Sequence, residues 1–458
     1  MFFKASRVHF VGIGGIGMSG IAEILLSLGY RISGSDLKSS PVTERLAGLG
    51  AVVYEGHSGG QIDDADAVVV SSAVQPGNPE VVEARRRQIP VIPRGELLAE
   101  LMRLKYGIAI AGSHGKTTTA SMTAAVLSHA GLDPTVVVGG RVAALESNAR
   151  LGRSDLLVVE SDESDRSFLK LAPIVAVVTN IDREHMDCYR SLEEVQEAFV
   201  EFVNKVPFYG AVILALDDAG NRAILSRIGR RTRTYGTTPE ADLMATAVEC
   251  GHLASRFRLA LRGIDLGAFR VHAAGRHNVL NAMAAVLVGL ELEIPPETIR
   301  EGIESFSGVD RRFQVRGKQA EVTIIDDYGH HPTEIRATLA AARACDYRRI
   351  HVLFQPHRYS RTLHLFEEFL SCFSDCDALY VVDIYPAGEK PIEGVTAERL
   401  ALRVPQARYF ASMEEAIDAI AESAGPGDAV LTLGAGNVWQ AGDRLLARLA
   451  SSSPVPAS

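Results

Sequence analysis

Short apolar runs bounded by glycine or polar residues recur along the chain: "RVHFV", "DAVVV", "GIAIA", "LLVV", "IVAVV", "VTII", "IHVLF", "ALYVV" and "AVLTL". Between them lie stretches of helical periodicity, such as "KTTTASMTAAVLSHAG", which Gly131 stops. Strands alternating with helices almost throughout predict a parallel α/β architecture. Three sets of this alternation are separable. The first opens with "RVHFVGIGGIGMSGIAEILLSLGY" and breaks near "ELLAELMRLKYG". The second begins at "GIAIAG", and the third follows "FSGVDRRF". Three α/β domains are expected, at 1–104, 105–308 and 309–458.

Length agrees, because 458 residues are too many for one core. A hydrophobic content of 47% with 22% charged residues describes an ordinary globular chain. The net charge of -9 argues against nucleic acid as an extended partner. No apolar run reaches the roughly 18 residues of a membrane span, so no membrane association is expected. "MFFKASRVHFVGIGG" runs straight into a strand and glycine turn, unlike a signal peptide. Five cysteines without metal-ligand spacing suggest reduced thiols and a cytoplasmic location. Cys372 and Cys376 are read as packing residues on one helical face, and the tail "SSSPVPAS" as disordered.

Two glycine turns carry the candidate chemistry. In "AGSHGKTTT" a strand precedes the turn and a helix follows. The pattern is shorter than a standard phosphate loop, since Ile110 stands where the leading glycine is expected. Gly112, Ser113, His114 and Gly115 would present backbone N–H groups at a helix N-terminus, an anion site. Lys116 would reach the outer phosphates, the Thr117 hydroxyl would hold magnesium, and Thr118 follows in the same turn. At neighbouring strand ends, Glu160 is an oxygen donor for magnesium, and His185 is a less usual one. The second turn, "GIGGIG", places Gly12, Gly14, Gly15, Ile16 and Gly17 after the first strand, with Asp36 about 20 residues on. Read alone it fits NAD, but any nucleoside diphosphate would satisfy it.

"HFVGIGGIGMSGIAEIL", "GSHGKTTT", "ESDESD", "TNIDREHMDCY", "GRHNVLNAMAA", "RRFQ", "DDYGHHPTEI" and "QPHRYSRT" together resemble the Mur ligase family. The resemblance spans the whole chain. It implies a Rossmann-like N-terminal domain for the UDP-sugar, a central P-loop-type domain for ATP, and a Rossmann-like C-terminal domain contributing to ATP and amino-acid binding. It implies ATP-dependent joining of L-alanine to the lactyl carboxylate of UDP-N-acetylmuramate through an acyl phosphate, in peptidoglycan precursor synthesis. Mg2+ is the implied cofactor, as two ions for which Mn2+ can substitute. Thr117, Glu160 and His185 would be its ligands, and Lys116, Glu160 and His185 the catalytic set.

The resemblance further assigns Asn278, Asn281, Arg312 and Asp327 to ATP; without it, Asn278 reads as a helix N-cap. Gly14, Gly15, Ile16, Gly17, Asp36, His57, Ser71, Ser72, Asn148 and Arg150 would serve the UDP-sugar. Tyr328, His330, Arg358 and Arg361 would serve the amino acid, the two arginines gripping its carboxylate. Glu184 departs from the family's usual aspartate, which leaves the surroundings of His185 open. A ligase adding a preformed tripeptide to the same sugar nucleotide remains a competitor, as does selection of serine or glycine. A monomer or weak homodimer is expected.

Overall fold

The computed structural model describes residues 6–452 apart from 63, 72, 143–146 and 252, and omits the side chains of 16, 140–142, 147, 148 and 452. Ser72, the side chains of Ile16 and Asn148, and most of the polar tail therefore lie outside the described residues. Three sheets organise the chain.

The first is parallel, with strands in the order Val52–Glu55, Arg31–Asp36, Arg7–Val11, Ala67–Val70 and Val91–Pro93. Arg7–Val11 takes the centre because Val8, Phe10 and Val11 are all buried. Its exit turn, at Gly12–Gly15, leads into the helix Ile16–Ser27. Gly34 lets the neighbouring strand pass close beneath that turn. A Cβ there would stand 2.6 Å from Ile13 Cδ1 and 2.7 Å from the Phe10 carbonyl oxygen.

The second sheet has ten strands. Its parallel centre runs Thr232–Gly236, Ala211–Ala215, Val175–Val178, Tyr106–Ala111, Leu156–Glu160 and Thr135–Val142. Strands Val175–Val178 and Ala211–Ala215 are buried along their whole length, as sheets covered on both faces require. The helices Lys116–His129 and Arg276–Glu291 pack on one face and on each other. On the other face a single apolar cluster runs from Phe10 and Ile21 through Leu97 and Met102 to Phe199 and Phe202. The first and second sheets thus share one continuous core.

Within the second sheet the expected parallel pattern is incomplete in two places. Leu243–Cys250, Ser255–Leu261 and Ile264–Val271 form an antiparallel meander at one edge. Ser147–Arg150 pairs antiparallel at the other. The meander has one wet face, with Phe257, Leu259 and Phe269 inward, so its alternation has period two.

The third sheet runs Gln314–Gln319, Val322–Asp327, Ala429–Leu433, Ile350–Phe354, Ala378–Val382 and Ala407–Phe410, parallel except for its first strand. Cys372 and Cys376 are buried there, as packing residues. They do not share a helical face, because the helix Phe366–Ser371 ends before both. All five cysteines are free, and no described helix is long and apolar enough to cross a membrane.

Gly34→Ala is expected to overpack the first sheet by about 1–3 kcal/mol. Calorimetry should show the unfolding transition of the first two domains moving down in temperature, with the third domain's transition unmoved.

Candidate active site at the seam of the second and third domains

The loops after strands Tyr106–Ala111, Leu156–Glu160 and Val175–Val178 all leave one edge of the second sheet. They meet the loops after Val322–Asp327 and Ile350–Phe354 of the third. Parallel sheets place the C-terminal ends of their strands on one side, so the site follows from topology.

Gly112 and Gly115 have φ of 126° and 81°. A Cβ on Gly112 would lie 2.1 Å from Thr179 Oγ1, and one on Gly115 2.6 Å from Asn281 Oδ1. Only glycine fits this tight cradle. The strand exit at Thr179–Asn180 fastens it: the His114 carbonyl accepts from Thr179 Oγ1 at 2.6 Å and from Asn180 Nδ2 at 3.0 Å.

Lys116 folds back over the loop. Its Nζ donates to the Gly112 carbonyl at 2.6 Å and to the Glu163 oxygens at 2.8 and 3.0 Å. Burial opposes its charge, but Glu163, Asp162 and Glu160 outweigh burial and raise its pKa. Burial likewise works against the Asp162 carboxylate, but Lys116, the Ser164 hydrogen bonds and His185 together outweigh it and lower the pKa. Thr117 Oγ1 donates to Glu160 at 2.9 and 3.0 Å, uniting those two predicted metal ligands. His185 stands apart from them, its Nε2 3.5 Å from Glu163 Oε1.

Beside the loop lies a cavity of about 260 Å³ lined by His114, Thr118, Asn278, Asn281, Arg312, Asp327 and Tyr235. The predicted nucleotide residues of both domains therefore converge. Asn278 is not the N-cap of its helix. Gly275 holds that position, and Asn278 sits inside the first turn, where its Nδ2 donates to the Ala274 carbonyl at 2.8 Å. Its Oδ1 accepts from Asn281 Nδ2 at 3.1 Å. Asp327 is buried between the Phe313 and Gly329 N–H groups. Burial raises its carboxyl to about 6 even though Arg312 pulls the other way.

Across the seam, Arg361 donates through Nε and Nη2 to Glu184 Oε1 at 3.1 and 2.9 Å. Arg358 is not in the helix Tyr359–His364 but caps it with φ of 70°, and its Nη1 is 3.6 Å from Asp187 Oδ2. Both arginines and His185 line a small pocket of about 30 Å³. His185 also has a positive φ, 56°, uncommon for a residue with a side chain. His330 is half-buried nearby; desolvation and then Arg361 lower it to about 4, leaving a neutral imidazole. Tyr328 stacks under Arg311 and Arg312. Thr333 Oγ1 donates to Asp182 Oδ2 at 2.6 Å, a second link between the domains.

The first domain's candidates form a separate group. Asp36 accepts from Gly14 N at 2.8 Å, so it braces the glycine turn. His57 Nδ1 lies 2.9 Å from both Ser35 Oγ and the buried Glu80. Gly15 is exposed, Gly17 abuts Arg94, and Ser71 is half-buried after Ala67–Val70. Arg150 pairs with Asp133 at 2.9 Å, on a strand packed against the helix Ile16–Ser27.

Glu163, Asp182, His331, Thr333 and Glu334 had no place among the predicted site residues. Glu163 stands in the acidic run "ESDESD", where spacing cannot tell a lysine's partner from a solvated carboxylate. The others owe part of their surroundings to contacts across the seam, such as Thr333 with Asp182 and His114 with Glu334.

Sheet order, glycine cradle and facing loops define a three-domain α/β protein with a glycine-built strand–helix turn at a domain seam. Family models agree along the chain: "Mur ligase family, catalytic domain" at residues 7–106, "Mur ligase middle domain" at 110–289 and "Mur ligase, glutamate ligase domain" at 311–436. The chain belongs to the Mur ligase family. It is 65% identical over 455 residues to a UDP-N-acetylmuramate–L-alanine ligase of Solibacter usitatus, covering 98% of this chain and 96% of that one. A protein of the same name from Koribacter versatilis is 58% identical, over 98% and 99% of the two chains. The crystal structure of UDP-N-acetylmuramate-alanine ligase from Thermotoga maritima superposes with a TM-score of 0.82 at 28% identity, covering 98% of this chain and 100% of that one.

Lys116→Met leaves Glu163, 1% exposed, without its principal partner. Breaking such a pair is expected to cost about 3–5 kcal/mol, and Lys116→Met with Glu163→Gln to restore most of it. Denaturant unfolding of both variants checks this; equal losses would show that the pair is not coupled.

Proposed function

We propose that this chain is an ATP-dependent ligase that joins L-alanine to the lactyl carboxylate of UDP-N-acetylmuramate, giving UDP-N-acetylmuramoyl-L-alanine, ADP and phosphate in peptidoglycan precursor synthesis. The observation that carries this reading is the seam: Lys116 and the cavity on one side, Arg358 and Arg361 on the other. The likeness to relatives of that name over nearly the whole chain supports it.

A carboxylate is a poor electrophile, since its charge repels the amine and its oxygen leaves badly. Attack of a lactyl carboxylate oxygen on the γ-phosphorus releases ADP and gives an acyl phosphate. The alanine amine then attacks the acyl carbon, and phosphate departs with one former carboxylate oxygen. Positioning and charge neutralisation supply most of the rate in such transfers. Lys116 would hold the outer phosphates. Arg358 and Arg361 would grip the alanine carboxylate, with Arg361 exchanging Glu184 for the substrate. A neutral His330 neither repels the incoming ammonium nor lacks a lone pair for its proton.

The oxygen donors of Thr117 and Glu160 suit Mg2+, which when bound would offset phosphate charge and polarise the γ-phosphoryl group. His185 with Glu163 suits a second ion, at which Mn2+ would accept the imidazole more readily. The first domain would hold the UDP pyrophosphate over the Gly14–Gly17 turn.

ADP and phosphate should form one for one, and only when UDP-N-acetylmuramate and alanine are both present. ATP consumption without amide product, or product only with a preformed tripeptide, would overturn the reading. Arg361→Ala should raise the alanine KM about tenfold or more, ~1.4 kcal/mol if KM follows affinity. The ATP and UDP-sugar constants should move little, and Arg361→Lys should recover only part, because an ammonium cannot make the paired contact.

A further inference from the structure

His114, Glu184 and His331 meet where the second and third domains close, and each offers a ligand atom within 4.8 Å of the others. His114 follows Ser113 in the phosphate loop, Glu184 precedes His185, and His331 caps the helix Pro332–Arg343. None is among Thr117, Glu160 and His185. Glu184 is 6% exposed and His331 3%.

The hydrogen bonding of the cluster is one-sided. His114 Nε2 lies 2.9 Å from Asp182 Oδ2, and His331 Nδ1 lies 3.6 Å from the same oxygen. One carboxylate thus stands behind both imidazoles, the arrangement that orients metal-bound histidines. The remaining nitrogens, His114 Nδ1 and His331 Nε2, are buried and make no hydrogen bond. Glu184 is divided in the same way: Arg361 holds Oε1, while Oε2 turns toward His114 Nδ1 at 3.9 Å. Two imidazoles therefore each keep a buried nitrogen uncommitted, with a Glu184 oxygen close to both. Buried polar atoms without partners are rare enough to need a cause.

We propose that His114 Nδ1, Glu184 Oε2 and His331 Nε2 form a binding site for a transition-metal dication of the Zn2+ type. Two imidazoles and a carboxylate suit Zn2+ or Co2+, whereas Mg2+ prefers oxygen donors alone. Tetrahedral zinc with bonds near 2.0–2.1 Å sets its ligand atoms roughly 3.3 Å apart, so the side chains draw in by about an ångström. His331 exchanges its long 3.3 Å bond from Thr333 N for a proton on Nδ1 that faces Asp182. Asp182 and Glu334, whose Oε1 is 3.5 Å from His114 Nδ1, surround the site with negative charge. Two ligands come from the second domain and one from the third, so the ion holds the seam closed.

The test is Co2+ titration of the full chain, stripped of metal, in excess Mg2+. One equivalent should bind with the visible bands of a four-coordinate nitrogen–oxygen site, and Zn2+ should displace it. His331→Gln and His114→Gln should each weaken binding by about a hundredfold or more. Anomalous diffraction at the zinc edge, on the unaltered chain, should place one peak among the three side chains. No binding in excess Mg2+, sulfur-to-cobalt charge-transfer bands, or a peak elsewhere would overturn the proposal. So would affinity unchanged in both variants.

Discussion

Negative charge crowded around one half-buried lysine sets the terms for the rest of the structure. Glu160, Asp162 and Glu163 all act on Lys116, and the loop of the same domain continues through Asp182, Glu184 and Asp187. A triphosphate brought to this surface meets carboxylates as well as its own charge. At such distances in a partly dry site the repulsion is large unless cations intervene. The third domain supplies them in the form of Arg312, Arg358 and Arg361. Glu184 and Arg361 form an ion pair in which both side chains are nearly buried. Under the proposed function a substrate carboxylate would replace Glu184 there, so domain contact and substrate binding would draw on the same guanidinium.

The division into three sheets keeps like charges apart until they are needed. The glycine turn at Gly12–Gly15 opens from the first sheet, braced by Asp36, while the turn at Gly112–Gly115 opens from the second. The shared apolar cluster through Phe10, Leu97 and Phe199 makes the first two domains one packed body. Contacts to the third domain at the seam are chiefly polar: Thr333 to Asp182, and Arg361 to Glu184. Polar seams part at lower cost than apolar cores, which would suit the proposed admission and release of nucleotide.

Much of this was legible in the chain. The apolar runs marked the central strands because a strand covered on both faces is apolar throughout. The strand–glycine–helix order at Gly112–Lys116 and the glycines at Gly12–Gly17 marked two tight turns, but not that Asp36 braces the second. The meander at 243–271 was lost, since period-two alternation with arginines and glycines gives no continuous run. Asn278 was misread as a cap because a side chain that bonds back to Ala274 inside a turn looks the same in sequence. The partners that tune the site, Glu163 for Lys116 and Asp182 for His114, are set by folding across distances no local pattern records. Glu184 was noticed only as a departure, while its contact with Arg361 depends on two domains meeting.

The central claim is that the seam activates a carboxylate by phosphoryl transfer before the amine attacks. It is tested most directly by labelling both lactyl carboxylate oxygens of UDP-N-acetylmuramate with oxygen-18 and turning the enzyme over with ATP and alanine. The account predicts one labelled oxygen in each molecule of inorganic phosphate released and one retained in the amide carbonyl. Unlabelled phosphate alongside full yield of the amide would contradict it.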